Sequence, residues 1–217
     1  MAYTQDYFAN RKYTLKQQLV ERHVVEVLRW ATKTLNQNLM DGHGKRALDV
    51  GCAYGYTTRI LEGLGYETCG VDVSAYGVRQ AKVTGQSEFM VCDGQNTLPF
   101  VDETFDLVTG FDVLEHLQSP RKALADMVAA CGGVLVCTTP NRNVEKTVRK
   151  LTGDYDPTHV SVKSPAEWKS LIEDVSEFQA MHVESFYDVP LRLRGKLFFK
   201  SFSIPTYGLT VRIALRK

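Results

Sequence analysis

Residues 47–58 read ALDVGCAYGYTT, an apolar run followed by a turn with glycines at positions 51 and 55. The apolar run predicts a strand, and the residues after the turn predict the start of a helix. Gly51 and Gly55 permit a tight turn, in which backbone N–H groups can approach a polar ligand closely. This pattern favours an α/β fold that holds a ligand at the end of a strand.

Short apolar runs alternate with helical patterns along the rest of the chain. Strands are predicted at residues 46–50, 67–73, 88–92, 105–109, 134–138, 178–186 and 208–215, and helices at 56–64, 75–83 and 120–130. Such alternation is typical of a parallel sheet with helices on both faces. We therefore predict a seven-stranded sheet that is mostly parallel, with an antiparallel edge strand.

A second signal is the segment GVDVS at residues 70–74. Its Asp72 follows Gly51 by 21 residues and ends the next predicted strand. A carboxylate at this separation can accept hydrogen bonds from the hydroxyls of a ribose, and the alternative is an N-cap for the next helix. Dinucleotide binding and S-adenosylmethionine binding are both open at this point. The turn lacks the G-x-G-x-x-G pattern, and Tyr54 and Tyr56 leave less room for a pyrophosphate.

Five motifs follow one another between residues 47 and 140, at residues 48–55, 91–94, 105–111, 113–117 and 132–136. In this order they resemble class I S-adenosylmethionine-dependent methyltransferases of the small-molecule type, such as quinone and sugar O-methyltransferases. Ala53 departs from the glycine that this family usually has at that place. The resemblance implies a Rossmann-like fold, S-adenosylmethionine as the cofactor and S-adenosylhomocysteine as the product.

The resemblance also implies a set of cofactor-binding residues. The glycine loop would hold the methionine part, Asp72 the ribose and Asp93 the adenine amino group. The full predicted set is Gly51, Cys52, Ala53, Tyr54, Gly55, Asp72, Val73, Asp93, Gly94, Phe111 and Tyr13.

The predicted catalytic residues are His116, Glu115 and His159. His116 follows the fourth strand, where the ligand crevice of such sheets opens, and an imidazole is a suitable general base for a hydroxyl. The alternative is that His116 only packs and shapes the site. Asp112, Glu115, His116 and His159 also resemble the divalent metal site of some quinone-pathway and RNA-end methyltransferases. For His159, the alternative is a loop residue that orders the segment before the helix at Ser164.

The N-terminal region carries a helical pattern from residue 5 to residue 38. Its aromatic residues Tyr3, Tyr7, Phe8 and Tyr13 suggest a lid over the cofactor, with simple packing on the domain as the alternative. We predict an N-terminal helical lid at 1–40 and a class I methyltransferase domain at 41–217. Insertions at about 142–162 and 187–205 are expected to cover the substrate.

The composition indicates an ordinary globular chain of 217 residues with a formal net charge of +1. No apolar run approaches the ~20 residues of a membrane span. The five cysteines include no C-x-x-C pair, so buried thiols in a reducing cytoplasm are expected. The near-zero net charge argues against DNA as a partner and makes RNA an unfavoured one. Oligomeric state is left open.

The preferred hypothesis is methyl transfer to a hydroxyl of a small molecule that is a sugar, a phenol or a lipid-linked compound. The alternatives are an RNA methyltransferase, a non-catalytic cofactor-binding protein and a nicotinamide oxidoreductase. The last 29 residues after Asp188 contain Arg192, Arg194 and five further basic residues but no acidic one. If they approach the crevice, the acceptor is anionic or lipid-linked, and otherwise they form a solvated surface.

Overall fold

The computed structural model describes residues 3–84, 87–152, 156–175, 178–193 and 196–217. The helices are α1 (Gln5–Asn10), α2 (Gln17–Leu35), α3 (Tyr56–Gly63), α4 (Ala75–Thr84), α5 (Pro120–Ala130), α6 (Arg142–Thr152) and α7 (Pro165–Glu173), with 3₁₀ turns at Thr14–Lys16 and Leu114–His116. The strands are β1 (Arg46–Val50), β2 (Glu67–Asp72), β3 (Glu88–Val91), β4 (Phe105–Phe111), β5 (Cys131–Pro140), β6 (Ala180–Leu193), β7 (Lys196–Ser203) and β8 (Thr210–Arg216). Arg194 lies outside the described residues, and the side chain of Arg192 is not described either.

The eight strands form one sheet in the order β3-β2-β1-β4-β5-β8-β6-β7. The first five strands in this order are parallel to one another, whereas β8 runs antiparallel to both β5 and β6. The strand order reverses at β1, so a ligand crevice is expected at the carboxyl ends of β1 and β4. The predicted α/β fold with a mostly parallel sheet is confirmed.

The strand count differs from the predicted seven because the late part of the chain forms three strands. Residues 187–203, expected as part of an irregular insertion, extend β6 and form β7. These two strands pair as an antiparallel hairpin from Phe186 with Ser203 to Leu193 with Lys196. Apolar residues stand at every second position from Tyr187 to Leu193, so this stretch can continue the strand.

Helices cover both faces of the sheet, as predicted. On one face Leu124 of α5 and Trp168 of α7 are fully buried against the strands. On the other face Leu28 of α2 and Leu61 of α3 are fully buried. Burial of one such side chain stabilises a fold by ~1.5–3 kcal/mol, so these helices fix the strand ends that carry the site.

The N-terminal pattern forms two helices instead of a continuous one. Lys12 has a φ of 51°, in the left-handed region, so the chain turns between α1 and α2. Helix α2 packs in the core, whereas α1 buries Phe8, which is 4% exposed. None of the described helices is both long and apolar enough to pass through a bilayer.

Candidate functional site

The glycine loop follows β1 and has the backbone conformation that its glycines predict. Gly51 and Gly55 have φ values of 76° and 71°, and Ala53 also lies in the left-handed region at 46°. A Cβ atom on Gly51 would lie 2.2 Å from Cγ2 of Val113, so only glycine fits there. The thiol of Cys52 is buried in an apolar cluster, and this residue can therefore offer a ligand only its backbone.

Asp72 ends β2 beside this loop. Its Oδ2 accepts a hydrogen bond from the Ala53 N–H at 2.8 Å, and its Oδ1 accepts one from the Ser74 N–H at 2.7 Å. The capping bond to helix α4 comes from Ser74 instead, whose Oγ accepts from the Gly77 N–H. Each carboxylate oxygen keeps a lone pair, so an oriented Asp72 can still accept from ribose hydroxyls.

Asp49 is a site residue that the sequence analysis missed. It lies inside β1, and its Oδ1 accepts a hydrogen bond from the Thr109 hydroxyl at 2.8 Å. Its Oδ2 is buried and has no hydrogen-bond partner among the described residues. Burial raises the pKa of this carboxyl group to about 7. The available signal was an acidic residue in an otherwise apolar strand, directly before the glycine loop.

The third strand places Asp93 and Gly94 at the same edge of the sheet. The Asp93 carboxylate accepts hydrogen bonds from the Gln95 N–H and the Asn96 side chain. A Cβ atom added at Gly94 would lie 3.7 Å from Cγ1 of Val50, which is an ordinary van der Waals contact. The adenine role of this pair stays a prediction.

Two other predicted cofactor residues differ in their surroundings. Val73 is 45% exposed next to Asp72. Phe111 ends β4 and packs against the apolar cluster of α2 and α3.

Aromatic side chains of the N-terminal segment cover the glycine loop. Tyr13 stacks on Tyr56, with ring centroids 5.2 Å apart and planes 8° from parallel, and Phe8 contacts Tyr54 at 4.8 Å. Burial, together with the nearby Asp49 carboxyl group, raises the pKa of Tyr13 well above its ordinary value. The Tyr13 ring lies against Tyr54 and Tyr56 at the glycine loop, and its cofactor role stays a prediction.

His116 is held by a chain of two hydrogen bonds. Its Nδ1 lies 2.7 Å from the Thr158 hydroxyl, which in turn lies 2.5 Å from Oδ1 of Asp156. Because the Thr158 hydroxyl has one proton and gives it to the carboxylate, Nδ1 must carry the proton of a neutral imidazole. Nε2 then keeps its lone pair. Burial is the main cause that lowers the pKa of His116, and the neighbouring His159 lowers it further. The ring is therefore mostly neutral at pH 7.

Asp156 and Thr158 were not among the predicted site residues. Burial pushes the pKa of Asp156 upward, but hydrogen bonds from the Thr158 side chain and backbone outweigh this effect and lower it. Two residues of the N-terminal segment meet the same carboxylate: the Tyr7 hydroxyl donates to Oδ2 at 3.3 Å, and Arg11 Nε lies 3.4 Å from it. The sequence signal was the Asp-x-Thr turn before His159.

Glu115 is fully buried beside His116. Its backbone oxygen accepts hydrogen bonds from the Val160 and Ser161 N–H groups, which ties the loop after α6 to the end of β4. Its carboxyl oxygens lack a well-formed hydrogen bond among the described residues, although the Thr139 hydroxyl lies beside them. Burial raises the pKa of Glu115 well above its ordinary value, so the protonated form is favoured.

The structure brings three of the four predicted metal ligands together. Donor atoms of Glu115, His116 and His159 all lie within 4.8 Å of one another, and the two imidazole centroids are 4.8 Å apart. Asp112 does not join this group, because its exposed carboxylate accepts a hydrogen bond from Thr138 at 3.0 Å. One carboxylate and two imidazoles suit a divalent cation chemically, but ligands of one ion lie closer together, so side chains would have to move inward.

Residues 21–175 match a family model described as a methyltransferase domain. This chain belongs to the methyltransferase domain family. The resemblance to class I S-adenosylmethionine-dependent methyltransferases is thereby confirmed. A ubiquinone biosynthesis O-methyltransferase of Roseobacter denitrificans is 30% identical over 139 residues, which are 59% of this chain and 54% of that protein. The chain thus spans about half the length of the curated relatives it matches.

Solved structures share the fold of this methyltransferase domain. An S-adenosylmethionine-dependent methyltransferase from Archaeoglobus fulgidus superposes with a TM-score of 0.71 at 18% identity, covering 99% of this chain and 100% of that one. Magnesium protoporphyrin IX methyltransferase of Synechocystis, solved with bound S-adenosylhomocysteine, gives a TM-score of 0.65 at 16% identity, with coverage of 99% and 96%.

The residues of this methyltransferase domain fit S-adenosylmethionine on three structural grounds. Gly51 and Gly55 have φ values of 76° and 71°, so the loop makes a tight turn that a ligand can approach closely. The orphaned Oδ2 of Asp49 suits a cationic amino group, because a buried carboxylate without a partner is costly. Asp72 is oriented by two backbone N–H groups and still has acceptor capacity.

Proposed function

We propose that this chain transfers a methyl group from S-adenosylmethionine to a hydroxyl group of a small-molecule acceptor. The observation that carries the proposal is the chain of hydrogen bonds from Asp156 through Thr158 to His116. It leaves the Nε2 lone pair of a neutral imidazole available as a base at the carboxyl edge of the sheet. When bound, S-adenosylmethionine supplies a sulfonium methyl group that is already electrophilic.

The cofactor is held by backbone and carboxylate groups. Gly51, Cys52, Ala53 and Gly55 form the loop around the methionine part, and their own N–H groups are bonded within the fold, which holds the loop in shape. Asp49 accepts from the amino group of the methionine part. Asp72 orients the ribose hydroxyls. Asp93, Gly94, Val73, Tyr54, Tyr13 and Phe111 complete the proposed cofactor set.

The chemical step needs alignment and removal of one proton. Nε2 of His116 would accept the proton of the acceptor hydroxyl while the hydroxyl oxygen takes the methyl group, whose bond to sulfur breaks to leave S-adenosylhomocysteine. The imidazolium that results keeps its Nδ1 proton in the hydrogen bond to Thr158, and the Asp156 carboxylate behind Thr158 stabilises its charge. Glu115 lies with Oε1 3.9 Å from Nε2 and shapes the base's surroundings.

The N-terminal segment acts as a lid in this proposal. Tyr7 and Arg11 meet the Asp156 carboxylate, so closure of α1 over the site also orders the residues that hold the base. The backbone oxygen of Tyr3 accepts a hydrogen bond from Ser74 at 2.5 Å, which ties the start of the chain to the ribose side of the site. His159 contributes position through its contacts with Glu145 and Asp156 rather than a proton transfer.

The proposed acceptor is a phenolic, sugar or lipid-linked hydroxyl. Support comes from the relatives named ubiquinone biosynthesis O-methyltransferases and from the basic residues of the C-terminal segment. Charge reversal at Arg192 should then raise the Michaelis constant for an anionic acceptor without changing that for the methyl donor.

The test combines calorimetry with a transfer assay. S-adenosylhomocysteine should bind and NAD should not. With labelled methyl donor and a catechol as acceptor, His116→Ala should lower kcat about 100-fold or more, the usual contribution of a general base. His43→Ala, at an exposed loop histidine far from the site, is the matched control and should have no effect. Full activity of His116→Ala would refute the proposed role of His116.

A further inference from the structure

The β6–β7 hairpin extends past the carboxyl edge of the sheet. Phe186 of β6 and Pro140 of β5 both pair with Thr210 of β8, so they lie at the same level along the strands, where β5 ends. Strand β6 runs parallel to β5, and its residues 187–193 continue beyond that level. At ~3.3 Å per residue the hairpin projects about 20 Å from the edge that carries the glycine loop and His116.

One face of the hairpin carries apolar side chains that are open to solvent. Cross-strand pairing places Tyr187 opposite Phe202 and Leu191 opposite Phe198, so all four side chains share a face. They are 43%, 44%, 46% and 49% exposed in that order. The opposite face of the hairpin is covered by α2, where His23 contacts Phe199.

Exposed aromatic side chains are confined to this region among the residues the structure describes. They are Tyr187, Phe198, Phe202 and Tyr207. Exposed Ile204 adds to them, since the turn after β7 lies at the same edge of the sheet. Single exposed apolar residues are ordinary on a protein surface, but a cluster of aromatic ones marks an interaction surface.

The charge of the same segment is positive. Residues 189–211 contain Arg192, Arg194, Lys196 and Lys200 and no acidic residue. Lys200 pairs with Val189 on the exposed face, and its Nζ lies 5.3 Å from the ring centroid of Phe202. Aromatic rings with lysines whose stems lie along them are suited to the head-group region of a bilayer.

We propose that this face of the β6–β7 hairpin docks the chain on an anionic lipid bilayer. A second copy of the chain could also bind here, because β7 is an edge strand of the sheet and its outer side can pair with another strand. Pairing of two β7 strands would bring the lysines of both copies together, and facing like charges are destabilising. Anionic head groups neutralise the same lysines. The charge pattern therefore favours lipid over a second copy.

Docking by the hairpin turns the carboxyl edge of the sheet toward the membrane. An acceptor embedded in or linked to lipid would then reach His116 without leaving the bilayer surface. This consequence rests on the proposed function, whereas the docking itself does not.

The experiment is co-sedimentation of the full chain with vesicles. One set contains phosphatidylcholine alone, and the other contains phosphatidylcholine with about one third phosphatidylglycerol. We expect binding to the second set only, weakened at 0.5 M NaCl relative to 0.1 M because salt screens the charges. The double variant Phe198→Ser/Phe202→Ser should lower vesicle affinity about tenfold or more, and Lys200→Glu about fivefold or more.

Matched controls come from the other parts of the surface. Val101→Ser removes an apolar side chain that is 80% exposed before β4, at the opposite edge of the sheet, and Lys82→Glu reverses a charge on α4. Neither should change vesicle binding. Thermal melting and S-adenosylhomocysteine calorimetry confirm that each variant is folded, so loss of docking is distinguished from failure of the proposed function.

Three results would overturn the docking proposal. One is absence of binding to both vesicle types by a folded chain. Another is equal weakening by the control and hairpin variants. The third is a dimer in light scattering that Phe198→Ser/Phe202→Ser dissociates, since the face would then be occupied by a second copy.

Discussion

Substitution of Thr158 by valine tests how His116 is held. Valine keeps the shape of this buried side chain, which is 6% exposed, but removes the hydroxyl that joins His116 Nδ1 to Asp156. A buried imidazole N–H then loses its acceptor, at a cost of about 1–3 kcal/mol. If about 2 kcal/mol of this cost is added to the activation free energy of methyl transfer, kcat falls about 30-fold.

The expected pattern separates positioning from packing. The Michaelis constant for the methyl donor should stay within about twofold, because Thr158 lies outside the glycine loop. Thr158→Ser restores the hydroxyl and should recover most of kcat. Thr68→Val is a matched control: this threonine is also buried and hydrogen-bonded, to Ser87, but lies at the opposite end of the sheet.

The pH profile gives a second readout. Burial lowers the pKa of His116 below its ordinary value of 6.5, so kcat should reach half of its plateau at a pH below 6.5, where the base becomes protonated. The hydrogen bond from Nδ1 to the Thr158 hydroxyl is stronger when the ring is charged, so its loss should move the acidic limb to still lower pH. A kcat for Thr158→Val equal to that of the unchanged chain, or an unshifted limb, would refute this reasoning.

Four further predictions follow from the site. Removal of the first 14 residues should weaken S-adenosylhomocysteine binding in calorimetry more than it lowers Tm, and equal affinity would contradict the lid. Gly51→Ala should abolish that binding, because its Cβ would meet Val113 at 2.2 Å, whereas Gly63→Ala has open space and should bind normally. Asp49→Asn should raise Tm at pH 8, where a carboxyl group with a pKa of about 7 must ionise while buried, yet weaken binding; a lower Tm would show that Asp49 is structural. Chelation of divalent metal should abolish methyl transfer if the metal hypothesis is correct, and full activity without added metal would eliminate it.

The Asp49 prediction has a definite sign. The pKa of this group is raised in the folded state above its unfolded value of 3.8, so the folded chain binds the proton more tightly. Its contribution to stability is therefore fully present below about pH 4 and is lost as pH rises through about 7. The ionised Asp49 carboxylate thus destabilises the fold near neutral pH, which fits a role in ligand binding rather than in folding.

The order of the elements was predictable because it depends on local patterns. Glycines 51 and 55 and the apolar run before them identify the first strand and turn, and Ser164 and Glu167, three residues apart in the sequence, form a capping box. The fourth strand and the Glu115-His116 pair likewise follow from adjacent residues. Each of these features is determined within a few residues of chain.

The late strands show where local patterns end. Apolar residues stand at every second position from residue 187 to 193. Whether this segment covers the substrate or continues the sheet depends on whether β6 and β7 pair with each other and whether α2 covers one face of the pair. The N-terminal pattern likewise predicts one helix, whereas Lys12 turns the chain so that Phe8 and Tyr13 can pack on the glycine loop.

The sequence by itself determined the strand and helix order, the cofactor loop and the presence of an acid and a histidine at the ends of β2 and β4. Only the tertiary structure decided which distant residues share the site. Thr158 lies 42 residues after His116, and Tyr7 lies 149 residues before Asp156, yet one hydrogen-bonded chain joins them. Periodicity reports contacts a few residues apart, whereas a hydrogen bond across the fold depends on how the sheet edge, α1 and the loop after α6 pack together.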